Sequence, residues 1–149
     1  MKYEEIVQRL APCGLDCSRC FNCHDGTIRR SATDLRDALA GFQKRAMSIA
    51  KNMYPEMEGY EQFAQVLDVM TRGRCQGCRS GGPQMPFCTA RTCFREKGVD
   101  FCFECDEYPC SRNSYPELLA KKWRDNNERM KEAGVEAFYE ESLQRPRYE

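Results

Sequence analysis

A chain of 149 residues carries 23 Lys and Arg against 23 Asp and Glu, so its formal net charge is zero. That length suits one compact domain rather than two independent cores, and the balanced charge counts against a general nucleic-acid or membrane-surface binder. No run of about 18 apolar residues occurs, and the start MKYEEIVQRLAP has acidic residues where a secretory leader needs an apolar stretch, so a cytoplasmic protein with no membrane segment is expected.

Residues 2–10 read as a short helix with Ile6, Val7 and Leu10 on its inner side. From Ser31 onward, Leu35, Leu39, Phe42, Ala46, Ile49 and Met53 recur at three- and four-residue steps. This predicts a helix over about 32–53, with Ser31 and Asp34 as its cap. Pro55 can open a second helix, and Tyr60, Phe63, Leu67 and Met70 form an apolar stripe that stops at Gly73. A helical hairpin over 32–72 is the result.

Between Arg74 and Cys110 the helical period is lost, seven cysteines appear, and residues 80–86 read as an exposed loop. Hydrophobic burial alone does not hold such a segment, so ligation is expected to. Ser114 and Glu117 form a capping box ahead of Leu119, Trp123, Asn127 and Met130, which run at helical spacing to Gly134. A last helix over about 135–144 carries Val135, Phe138 and Tyr139. The expected fold is mainly α in a single domain, with the hairpin and the C-terminal helices (114–144) packed around a cysteine-rich, metal-stapled irregular centre.

Eleven cysteines in a reducing compartment are not a disulfide framework, and an odd number leaves one over. They fall into Cys13, Cys17, Cys20 and Cys23; Cys75 and Cys78; Cys88 and Cys93; and Cys102, Cys105 and Cys110. Two residues between cysteines let both thiolates reach one ion at roughly 2.3 Å while the turn offers N–H groups to the sulfurs. Gly77, just before Cys78, suits such a knuckle. The candidate ligands are therefore Cys13, Cys17, Cys20, Cys75, Cys78, Cys88, Cys93, Cys102, Cys105 and Cys110, with Cys23 and His24 as secondary candidates because neighbouring residues seldom bind one ion together. Grouping by sequence would put Cys75 and Cys78 with Cys88 and Cys93, although interleaved sets are equally legal. Eleven cysteines and the single histidine make twelve ligands, enough for two or three tetrahedral ions.

Zinc is the expected ion because the knuckle contains glycine and the ligands are dispersed along the chain, as in structural zinc sites that tie distant segments together. An iron–sulfur cluster for electron transfer is the alternative, since thiolates serve both. The spacing of Cys13, Cys17 and Cys20 also matches that of radical S-adenosylmethionine enzymes, but the following residues form a helical hairpin instead of the large α/β barrel that such a motif requires.

Taken together, Cys13-Gly-Leu-Asp-Cys17-x-x-Cys20, Cys75-x-Gly-Cys78, Cys88-x4-Cys93, Cys102-x-x-Cys105 and Asp106-Glu-Tyr-Pro-Cys110 resemble a cysteine-rich bacterial and archaeal family, domain-of-unknown-function family 3795. The resemblance spans 13–110 and the region at Gly134. It implies a prokaryotic cytosolic protein that binds zinc, and it carries no reaction. Cys23 and His24 stand outside its pattern.

Residues 72–97 hold six basic residues (Arg72, Arg74, Arg79, Arg91, Arg95, Lys97) against Glu96, a local charge of +5. Balance of negatively charged thiolate sites explains this better than nucleic-acid contact. The catalytic raw material is thin: there is one histidine, no phosphate loop and no HExxH, and Asp16, Asp106 and Glu107 read as supporting or surface groups. The expected role is a structural or interaction module with a protein partner rather than an enzyme.

Overall fold

A computed structural model describes residues 1–82, 85 and 87–148. The loop expected over 80–86 falls partly on Pro83, Gln84 and Pro86, which lie outside the described residues. Among the described residues there are seven α-helices and no strand: α1 Tyr3–Arg9, α2 Thr27–Ala38, α3 Gln43–Asn52, α4 Tyr60–Met70, α5 Ala90–Lys97, α6 Glu117–Ala133 and α7 Val135–Leu143. Among the described residues no helix is long and apolar enough to cross a membrane. The chain divides into two compact units, Met1–Ser18 with Cys75–Glu149, and Arg19–Arg74.

In the larger, cysteine-rich unit, α1 is opened by the Glu5 carboxylate, which accepts the Lys2 N–H at 3.2 Å. Its inner residues Ile6 and Val7 join Leu10, Phe101, Met130, Val135, Phe138 and Tyr139 in one core, and burying each such side chain contributes roughly 1.5–3 kcal/mol. A second core has a different composition. Ala11, Cys13, Cys78 and Trp123 are buried there, with Cys17, Cys102, Tyr108, Cys110 and Tyr115 against them. Tyr108 and Tyr115 meet the Trp123 ring edge-on, at 5.3 and 5.8 Å between centroids. The fully buried Asn127 joins these layers: its Oδ1 accepts the Phe103 N–H at 3.0 Å and its Nδ2 donates to the Trp123 carbonyl at 2.9 Å.

Arg79 is the main polar fastener of this unit. Its side chain is 10% exposed and donates to the carbonyls of Val7 (2.7 Å), Leu10 (3.2 Å) and Asp100 (2.6 Å), while the guanidinium stacks on Phe94 and Phe101. One residue thus ties α1, the first cysteine segment and the start of the last one.

The smaller unit packs α2 on α4, with α3 against a 3-10 turn at Pro55–Gly59. Small residues let these helices approach: Ala32, Ala46 and Ala50 are buried with Leu67, and Phe42 meets Tyr60 edge-on at 5.3 Å. Thr71, just past α4, accepts from Arg29 at its carbonyl (3.0 Å) and from Arg36 at its hydroxyl (3.2 Å), which fixes α2 to the end of α4.

Three sequence expectations need correction. The single helix over 32–53 is two helices, α2 and α3, separated by a turn in which Gly41 takes φ +77, a conformation that breaks the helical ladder. Nor does Ser31 cap it, because α2 already starts at Thr27; polar helix formers such as Arg29 and Arg30 extend it upstream of the first apolar position. At α6 the Ser114–Glu117 cap is absent: the Ser114 N–H is engaged by the Phe87 carbonyl at 3.3 Å, and the helix begins at Glu117.

The segment 74–110 also contains a helix that the periodicity did not predict. Ala90, Cys93, Phe94 and Lys97 are the inner positions of α5, a period concealed when Cys93 is read only as a ligand. It closes in a Schellman motif, with the Gly98 N–H on the Arg95 carbonyl (3.3 Å) and the Val99 N–H on the Phe94 carbonyl (3.0 Å).

Candidate metal centres

The Cys75–Cys78 turn has the geometry of a metal knuckle. Gly77 sits at φ +88, which L side chains rarely adopt, and its N–H donates to the Cys75 sulfur at 3.3 Å. Cys78 then opens a 3-10 turn, with the Ser80 and Gly82 N–H groups returning to the Gly77 carbonyl at 3.2 and 3.0 Å. A matching turn at Cys102–Glu104 is held by the Cys105 N–H on the Cys102 carbonyl (3.1 Å) and by the Glu104 carboxylate, which accepts the N–H groups of Asp100 and Phe101. The Cys102 N–H donates to the Pro12 carbonyl at 2.9 Å, which sets Cys13 beside this turn.

Eight thiols of the cysteine-rich unit fall into two neighbouring groups. In the first, the side chain and backbone of Cys78 beside Cys17 bring the Cys17 pKa down to about 7, while the Cys17 side chain and burial push Cys78 up. Cys13 and Cys88 both act on Cys78, and burial together with Cys88, Cys102 and Cys17 pushes Cys13 up. Tyr115 puts its hydroxyl 3.2 Å from the Cys88 sulfur.

In the second group, Cys93, Cys102, Cys105 and Cys110 line a single pocket with Lys97, Tyr108 and Arg112. Burial pushes Cys93 up, and pushes Cys102 up to about 12, with the thiols of the same pocket adding to both. One group works the other way on Cys102: the buried Trp123 indole N–H, which has no hydrogen-bond partner, lies near its sulfur and favours the thiolate.

Such crowding is unfavourable for several thiolates alone and favourable around a dication, whose charge offsets their mutual repulsion. The donor set is soft, supported by N–H groups and bordered by cations, and so fits a thiophilic metal. Cys93 thus shares a pocket with Cys102, Cys105 and Cys110, and Cys88 lies near Cys13, Cys78 and Cys102. All eleven cysteine side chains are thiols, with no disulfide.

Cys20 lies in the smaller unit. Its carbonyl accepts the Cys23 N–H at 3.0 Å, and the chain turns directly into Cys23, His24 and Asp25. The ligand atoms of those three residues lie within 4.8 Å of one another, the one group among the described residues to converge that closely; the four sulfurs of the pocket are spaced more widely. Cys23 and His24 were secondary candidates from sequence, and Asp25 was missed because an acid beside a histidine carries no spacing signal of its own.

The basic segment is mostly engaged. Arg72 pairs with Asp68, Arg79 is buried, Arg95 donates to the Arg79 carbonyl, and Lys97 holds Asp106 (3.3 Å) and Glu107 beside the cysteine pocket. Arg112 reaches Glu107 at 3.0 Å. Asp16 is buried and accepts the N–H and hydroxyl of Ser18 (2.9 and 2.7 Å), so it shapes the turn after Cys13.

A family model described as Protein of unknown function (DUF3795) matches residues 9–115. No curated protein and no solved structure matches the chain.

Proposed function

We infer that this chain, which belongs to the DUF3795 family, is a cytoplasmic zinc-thiolate protein in which metal ions hold the cysteine-rich unit together and present its surface to a protein partner. The observation that carries this reading is the shared pocket of Cys93, Cys102, Cys105 and Cys110, drawn from α5, a 3-10 turn and the loop beyond it. Cys13, Cys17, Cys78 and Cys88 form the second centre, with Cys75 as an additional ligand of the same chemistry. An ion in each would cross-link segments that otherwise meet in a small core around Trp123, and in small metal-stapled units binding free energy is folding free energy. Zinc is favoured over harder ions by sulfur ligands, and Lys97 and Arg112 offset the charge that four thiolates leave on a dication.

A partner-binding role is supported by α4, where Phe63, Val66, Val69 and Met70 are 36–54% exposed, an apolar stripe of the kind found at protein–protein contacts. The test is removal of the metal. Anaerobically purified, colourless protein treated with a strong chelator is expected to lose its near-ultraviolet circular dichroism and to regain it on addition of zinc. Retention of the spectrum after complete metal removal would sink the structural role, and a brown protein with acid-labile sulfide would replace zinc with an iron–sulfur cluster.

A further inference from the structure

The smaller unit carries a cluster that the thiolate reading does not use. Cys23, His24 and Asp25 precede α2, whose N-cap is Gly26. The Cys23 sulfur lies 3.2 Å from Asp25 Oδ1, and His24 Nδ1 lies 3.4 Å from the same oxygen. A tetrahedral ion with bonds of roughly 2.0–2.3 Å keeps its ligands about 3.3–3.8 Å apart, so both separations are close to the edges of such a polyhedron. His24 Nδ1 is itself buried and has no hydrogen-bond partner.

The turn that brings these atoms together is fastened from outside the cluster. The Arg29 and Arg30 guanidinium groups donate to the main-chain carbonyls of His24 and Asp25, leaving the His24 ring and the Asp25 carboxylate to face one another. Burial is graded across the three ligands: Cys23 is 8% exposed, whereas the side chains of His24 and Asp25 are 45% and 71% exposed. The sulfur thus lies at the inner wall and the other two at the solvent edge.

We propose that Cys23 Sγ, His24 Nδ1 and Asp25 Oδ1 form a separate site for one borderline-soft divalent ion of the zinc class, with the fourth position left to water. One thiolate and one carboxylate neutralise the dication, and the mixed sulfur, nitrogen and oxygen set selects against calcium and magnesium. Binding replaces the thiol proton that Cys23 now shares with Asp25, so one proton is released to solvent for each ion bound. Three protein ligands and an exposed edge make this ion exchangeable, unlike ions enclosed by four thiolates. The site does not depend on the thiolate centres of the other unit.

Full-length protein purified with its resident metal, dialysed against a weak chelator and then titrated with zinc or cobalt(II), tests the site. One equivalent per chain is expected to leave and return while the circular dichroism is unchanged. H24A and D25A should weaken that equivalent by about tenfold or more, and C23S should abolish the sulfur-to-cobalt charge-transfer band. Absence of an exchangeable equivalent, or its persistence in both H24A and D25A, would overturn the proposal. Equal loss in C20S would overturn the water-filled fourth position. Protein that takes up this equivalent but holds no tightly bound metal would uphold the site while removing the thiolate reading.

Discussion

Cys17 and Cys78 lie close enough for each to shift the other's pKa, so the first cysteine motif of the chain and the second meet at one point. Cys13 and Cys88 lie near Cys78, while Cys93, Cys102, Cys105 and Cys110 share a pocket. The two proposed centres, each with its own ligands, predict separable losses. C17S or C78S is expected to remove one tightly bound ion and C93S or C105S the other, as read by elemental analysis of each purified variant. If any one of these variants lost both ions, the eight thiols would form a single polynuclear centre instead.

Arg79 predicts a stability effect independent of metal count. Its guanidinium satisfies three backbone carbonyls and stacks between Phe94 and Phe101. R79A strands those buried acceptors and is expected to cost about 3 kcal/mol or more in chemical denaturation. R79K keeps the charge but loses the planar fork, and should recover less than half of that loss. Full recovery by lysine would show that charge alone matters there.

Gly77 is constrained by conformation and not by space. At φ +88 its added Cβ would meet nothing closer than the Cys17 Cβ at 3.9 Å, an ordinary contact. G77A should therefore cost about 1–3 kcal/mol through backbone strain and loosen the N–H···S bond to Cys75. Thermal melts of the metal-loaded protein will show it, and an unchanged midpoint would mean that the knuckle relaxes freely.

Alkaline titration gives a third handle on the fold. Burial and the nearby Glu104 and Asp100 carboxylates raise the Tyr3 hydroxyl well above its usual 10.0. The folded protein keeps that proton where the unfolded chain releases it, so the stabilisation is complete below pH 10 and is lost as the pH rises beyond it. Y3F should flatten the decline in denaturation midpoint above pH 10, and an unaltered slope would remove Tyr3 as its source.

Much of this was legible in the residues. The stripe in α6, the stop at Gly134 and the knuckle glycine follow from local chemistry, because each depends on residues within one or two turns, whereas of the stripe expected in α4 only Leu67 is buried and Phe63 and Met70 are exposed. What escaped depends on distant partners. The period of Ala90, Cys93 and Phe94 was hidden by a cysteine with two uses, and the break at Gly41 is invisible to a pattern that counts apolar positions straight across it. That Cys93 shares a pocket with Cys102, Cys105 and Cys110 is a matter of tertiary path, which spacing does not encode. Arg79 looked like one cation in a basic segment, since nothing local announces that three carbonyls converge on it. Asp25 was missed for the opposite reason: it is adjacent to its partners, and only the backbone turn decides whether adjacent side chains face each other.

The most direct test of the whole account is elemental analysis of natively purified full-length protein after exhaustive dialysis against a weak chelator. Two tightly held zinc ions per chain, with no iron and no acid-labile sulfide, is the expected result for two four-thiolate centres. Iron with sulfide, or a folded protein that retains no metal, would contradict it.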